Sequence, residues 1–202
     1  MRVGTGSSAT DSPTRTRLVE AARDLFWAQG YEATSVAEIC ERADANSGSL
    51  YYFFSSKEEL LEAVLDHLEE RIGPDLLEPA WEGVDDPIER VFALLEAYRR
   101  AAIATDFTYG CPIGGLALEF RDPPEGVRRR IAANFEAWRS AVLDCLREAA
   151  DRFPTDADLE RLSAVVLTIM EGGIMQARTF RSIEPFDAGV AFLRDYLQQR
   201  QR

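Results

Sequence analysis

Thr34-Ser35-Val36-Ala37-Glu38-Ile39, then Ser47-Gly48-Ser49-Leu50-Tyr51-Tyr52-Phe53-Phe54, then Ser56-Lys57-Glu58-Glu59-Leu60: these three segments decide how the chain folds. Ser35 and Glu38 stand at capping-box spacing, so a short helix opens there and buries Val36, Ile39 and Cys40 before ending near Ala43. Two or three residues later Asn46 can cap a second short helix, whose Leu50 points inward. Ser56 and Glu59 repeat the capping spacing and launch a longer helix with Leu60, Leu61, Val64, Leu65, Leu68 and Ile72 along one face. Two short helices across a tight turn can present the second of them to a DNA major groove about 12 Å wide. Helical hairpins also occur in proteins that never touch nucleic acid, so geometry alone leaves both readings open.

Outward from this stretch, helix punctuation continues to both ends. Pro13 to Gln29 carries Leu18, Ala21, Ala22, Leu25 and Phe26 on one buried stripe, and Gly30 supplies a left-handed stop. Gly73-Pro74 weakens or ends the fourth helix, and Asp86-Pro87 caps a fifth with Ile88, Val91, Phe92, Leu95 and Tyr98. A shorter sixth helix follows from Cys111-Pro112 to about Phe120. A seventh is expected from Asp122-Pro123, an eighth from Thr155 through Asp158 to about Phe180, and a ninth carries Phe186, Val190, Leu193 and Leu197. Alternating β-branched runs bounded by hairpin turns are missing. The expectation is an all-α chain of about nine helices: a mobile arm over 1–12, a helix-turn-helix over 13–57, and a larger body over 58–202.

Charge limits the functions open to it. The chain carries a formal charge of −12, a balance that nucleic acid repels unless the charge is unevenly spread. Residues 1–57 hold six basic and seven acidic groups, so the acidity belongs to the body. Cys40, Cys111 and Cys145 are odd in number and lack CxxC pairing, which argues for reduced, buried thiols and against a zinc site. No apolar run approaches the roughly 20 residues that span a bilayer, and no apolar core follows Arg2, so no membrane association and a cytoplasmic location are expected. His67 is the only histidine, acidic pairs such as Glu69-Glu70 and Asp85-Asp86 read as solvated charge or caps, and no phosphate-cradling glycine loop is present. Neither an enzyme nor a bound cofactor or metal is therefore expected.

The three opening segments, at their fixed spacing and after a helix ending in Gly30-Tyr31, resemble the DNA-binding signature of the TetR family of bacterial repressors; the likeness runs over residues 14 to about 62. It implies a helical, dimeric regulator with an N-terminal helix-turn-helix on a ligand-binding body. Carried over by position, Ser47, Gly48, Ser49 and Tyr52 form the exposed start and face of the recognition helix, with Gly48 leaving the backbone free to approach the groove. Thr34 or Ser35, Tyr51 and Lys57 would hold phosphates. Ser35 and Ser56 also read simply as caps, and Phe54 as packing. Departures from the family pattern are Asp44 where glycine is usual, Ser47 where a basic residue is common and Phe53 where histidine is frequent. Without arginine or lysine on the recognition helix, base contacts should come from hydroxyls and thymine methyls, leaving phosphates to Arg15, Arg17, Arg42 and Lys57.

For the body, the resemblance implies a cavity for a small apolar or aromatic effector, with Phe92, Ile113, Leu116, Phe135, Trp138, Met170 and Glu171 as wall residues. Tyr109 to Glu119, with Gly110-Cys111-Pro112, looks like a segment of a subgroup that includes drug-efflux-pump repressors; a loosened helix start explains the same glycines. The last two long helices would pair with their copies as a four-helix bundle, so that a homodimer meets a palindromic double-stranded operator. The competing reading is a helical small-molecule carrier or protein adaptor that leaves DNA alone.

Overall fold

The computed structural model describes residues 12–200. Apart from Ser12, the arm expected at 1–12 lies outside them. Among the described residues there is no strand, and nine helices have seven or more residues. None is long and apolar enough to cross a membrane. The chain divides into two compact units, one running through Leu68 and including Gly115–Ile131, the other formed by Glu69–Gly114 and Ala132 onward.

In the first unit, α1 (Pro13–Gln29) buries Leu18, Val19, Ala21, Ala22 and Phe26. It ends at Gly30, whose φ of +89° suits a residue without Cβ; its ψ of 162° is extended, so the stop differs from the left-handed helical turn the sequence suggested. α2 (Val36–Arg42) opens on a complete capping box: Ser35 Oγ accepts from Glu38 N at 3.2 Å and Glu38 accepts from Ser35 N at 2.7 Å. Asp44 turns the chain with φ +47°. Asn46 then caps α3 (Ser47–Phe53) by accepting from Ser49 N at 2.8 Å. Arg17 Nε donates to Ala43 O at 2.9 Å, tying α1 to the end of α2.

α4 (Lys57–Ile72) buries Leu60, Leu61, Val64 and Leu65. Its capping box is shifted by one residue. Ser56 Oγ accepts from Glu59 N at 3.1 Å, whereas the Glu59 carboxylate reaches Ser55, taking its N–H at 2.7 Å and its hydroxyl at 2.6 Å. Arg130 completes the unit by bridging Asp66 at 2.7 Å and Glu62 at 3.1 Å.

In the second unit the regular ladder of α4 ends at Ile72, at the expected Gly73-Pro74 break. The chain widens into a π turn over Gly73–Leu77, in which Glu78 N reaches back to Gly73 O, and adds the single turn α5 (Glu78–Trp81). Pro74 has no N–H to give the regular ladder, and a wide turn accommodates that loss. α6 (Pro87–Ala104) starts where expected, with Asp86 accepting from Ile88 N and Glu89 N. α7 (Pro112–Glu119) follows, its residues from Gly115 onward and the start of the next helix through Ile131 counting with the first unit. α8 (Glu125–Glu148) begins later than Asp122-Pro123 suggested, because Pro124 disfavours a helical Pro123. α9 (Leu159–Phe180) is capped by Asp158, which accepts from Arg161 N at 2.9 Å, and α10 (Glu184–Arg200) closes the fold. Their shared core includes Val91, Leu95, Trp138, Val142, Leu146, Val166, Met170, Ile174, Phe186 and Leu193. α9 meets α10 closely at Gly173, where an added Cβ would stand 2.8 Å from Phe186 Cδ2 and 3.2 Å from its Cα.

Candidate nucleic-acid interface

α3 is seated by Leu50, which is fully buried, and by Phe54 immediately after it. With that side inward, Ser47, Gly48, Tyr51 and Tyr52 face solvent, Tyr52 at 75% and Tyr51 at 55% exposure. Rings so exposed lie outside the buried core of the unit. Ser49 is half-buried, its hydroxyl donating to Asn46 Oδ1 at 3.2 Å. Gly48 leaves a bare strip of backbone, and a Cβ there would come within 3.1 Å of the capping Asn46 oxygen. Phe53 lies edge-on to Tyr52, ring centroids 4.9 Å apart.

The flanking positions divide. Ser35 is exposed at the start of α2, whereas Thr34 is 1% exposed and its hydroxyl donates to Gly30 O at 2.7 Å. Lys57 is half-buried; its Nζ donates to Tyr31 O at 2.6 Å and Thr34 O at 2.8 Å and lies 4.1 Å from the centre of the Tyr31 ring. Two of the ammonium's three donors thus hold the loop before α2. Arg42 pairs with Asp24 at 3.0 Å. Burial acts to raise the Asp24 carboxyl, but the hydrogen bonds and charges of Arg23 and Arg42 outweigh it and keep Asp24 below its usual range. Arg15 lies 5.2 Å over the Phe54 ring.

Sequence reasoning missed Glu119. Its carboxylate accepts from Tyr31 N at 2.9 Å and Glu32 N at 2.7 Å, fastening the same loop that Lys57 holds. No spacing rule links residues 88 positions apart.

Of the residues expected to line an effector cavity, Leu116 is buried in the first unit, and the rest belong to the second. Phe92 is covered by the Arg194 guanidinium at 3.7 Å. Trp138, 2% exposed, packs edge-on to Tyr98 with ring centroids 6.3 Å apart. Glu171 fills the space beside Gly114: a Cβ there would collide with its Oε2. This glycine therefore answers to a carboxylate as well as to a loosened helix start. Burial raises the Glu171 carboxyl above its usual range. Burial, then the neighbouring Glu171, pushes the Cys111 thiol far up, and burial pushes Cys145 up to about 11, so neither supplies thiolate near neutral pH.

A family profile described as "Bacterial regulatory proteins, tetR family" matches residues 18–64, and one described as "Tetracyclin repressor-like, C-terminal domain" matches residues 87–193. An HTH-type transcriptional regulator of Mycobacterium tuberculosis is 30% identical over 189 residues, covering 91% of this chain and 93% of its own. The HTH-type transcriptional repressor DhaR of Mycobacterium sp. (strain GP1) is 28% identical over 182 residues, covering 87% of this chain and 88% of its own. A solved TetR transcriptional regulator from Chloroflexus aurantiacus superposes with a TM-score of 0.79 at 27% identity, over 94% of this chain and 96% of its own. The exposed α3 face thus sits inside a profile match, and the chain belongs to the TetR family of bacterial regulatory proteins, which bind operator DNA as homodimers, and is a transcriptional regulator.

Proposed function

We propose that the chain is a cytoplasmic, non-enzymatic repressor whose homodimer grips a palindromic operator through residues 13–57 and lets go when a small apolar or aromatic effector binds the remainder, 58–202. The observation that carries this reading is the solvent-facing set Ser47, Gly48, Tyr51 and Tyr52 on a helix anchored by Leu50 and Phe54. Tyr52 and Ser47 meet base edges and thymine methyls, while Ser49 and Tyr51 help set the register on the backbone. Ser35 offers its helix start to a phosphate. Thr34 and Lys57 act beneath it by shaping the loop, with the third Lys57 donor available to a phosphate.

Dimerisation uses α9 and α10, which expose Val165, Met175, Phe180, Phe192 and Tyr196. Apolar surface of this kind is the material of a symmetric interface. Ile113, Phe135, Trp138, Met170 and Glu171 are the proposed effector-contacting set, with Phe92 supporting them from beneath Arg194.

The decisive experiment is binding of the purified protein to DNA upstream of its own gene, followed by fluorescence anisotropy, with its mass in solution measured alongside. Retardation of a palindromic fragment by a dimer supports the reading. A monomer, or a dimer that binds the fragment no better than random DNA, removes it in favour of a carrier or adaptor. That rival draws on one observation: Lys57 and Arg42 already have partners.

A further inference from the structure

Two buried polar atoms in the second unit make no hydrogen bond of regular geometry among the described residues: Trp138 Nε1, a donor that has only an off-line approach to the Tyr98 hydroxyl, and Glu171 Oε1, whose carboxyl meets the Cys111 thiol. Such atoms are rare in folded proteins, because each forfeits its hydrogen bond to water and gains little in return. They belong to one cluster. Tyr98 packs edge-on against Trp138 and lies within the electrostatic reach of Glu171 and Cys111, and Glu171 leans on Gly114 beside Cys111. Around them the core is apolar, with Met170 and Ile174 on the same helix as Glu171. Among the described residues no basic side chain pairs with the carboxyl, which meets the Cys111 thiol and lies within reach of Tyr98.

We propose that this cluster binds an uncharged, largely apolar molecule bearing hydroxyl groups, with a hydroxyl hydrogen donated to Glu171 Oε1 and a ligand oxygen accepting the Trp138 N–H. An anionic ligand would face an acidic side chain with no cation to offset it, and a pure hydrocarbon would leave Glu171 Oε1 unanswered and Trp138 Nε1 with only its approach to Tyr98. Hydrogen-bond-bearing sites reject analogues that lack the matching group far more strongly than apolar sites reject a missing methylene. The proposal rests on the effector reading above and narrows its chemistry.

The test is calorimetric titration of the dimer with 2-naphthol, 2-methoxynaphthalene and 2-naphthoate. The first can donate and accept, the second can only accept, and the third is an anion. The expected order is 2-naphthol at least tenfold tighter than 2-methoxynaphthalene, with no measurable binding of 2-naphthoate. Glu171→Met should abolish the preference for 2-naphthol, and Trp138→Phe should weaken both neutral probes about tenfold. A merely structural role for Glu171 would instead lower both affinities and keep their ratio. Equal binding of the two neutral probes by the wild type, tight binding of 2-naphthoate, or no binding of any probe overturns the proposal. Operator binding by the probe-free protein is read separately. Its presence with no probe binding sinks only this site, and its absence with intact probe selectivity sinks only the repressor.

Discussion

The Glu119 carboxylate accepts the backbone N–H of Tyr31 at 2.9 Å and, through its other oxygen, that of Glu32 at 2.7 Å. These amides follow the positive-φ turn at Gly30, where no helix can use them. Replacing Glu119 with Ala strands both donors, and net losses of about 1.5–3 kcal/mol are usual for charge-assisted bonds of this kind. Hydrogen exchange should show Tyr31 and Glu32 losing protection in Glu119→Ala, and operator affinity should fall several-fold. Unchanged exchange at both amides would show that the carboxylate does not hold the loop.

Tyr52 contributes an exposed ring with no packing duty beyond its edge contact to Phe53. Tyr52→Ala should therefore leave the melting temperature within a degree or two while weakening specific operator binding by tenfold or more, the scale of one lost base contact at about 1–3 kcal/mol. A melting curve and an anisotropy titration on the same sample separate the two effects.

Salt dependence should be shallow. With two Lys57 donors on carbonyl oxygens, Arg15, Arg17 and Arg42 are the arginines of each head proposed to reach phosphates, Arg42 by leaving Asp24. About six such contacts per dimer give a log–log slope no steeper than roughly −5. A measured slope near −10 would mean that cations elsewhere carry the binding.

Neighbouring glycines on α9 should respond in opposite ways. Gly173→Ala drives a Cβ into Phe186, and overpacking of that sort costs about 1–3 kcal/mol, more than the helix propensity returned. At Gly172 an added Cβ meets nothing within 4 Å of the isolated chain. Thermal unfolding at low concentration should find Gly172→Ala at least as stable as the parent and Gly173→Ala clearly less so.

Acid should loosen the start of α6. The Arg152 guanidinium, then the Glu89 N–H, hold the Asp86 carboxyl below the ordinary aspartate value of 3.8. A lowered folded pKa means that its contribution is complete above that value and disappears as pH falls through the folded one. Asp86→Asn should lower stability at pH 7, and the deficit should shrink below about pH 4.

The helices of the head were readable in the sequence because their signals are local: Ser35 with Glu38, Asn46 with Ser49 and Ser56 with Glu59 each act three residues apart. The inward side of α3, Leu50 and Phe54, was legible from the residues, whereas its solvent face was what the family resemblance implied. What escaped was set by tertiary approach. Glu119 and Lys57 reach the Tyr31 loop from 88 and 26 positions away, and the need for Gly114 becomes visible only once Glu171 lies against it. Thr34 shows the same limit, since a hydroxyl beside a helix start looks identical on paper whether it turns outward or back to Gly30.

Lys57 is the chain's only lysine, so its ε-amine is the sole side-chain amine open to N-acylation, and that amine sits between two carbonyls of the loop before α2. Acetylation there would remove the positive charge and leave one N–H for two acceptors. A single acyl group would thus reach the loop that supports α2, while the arginine-based ion pairs throughout the rest of the molecule stayed chemically untouched.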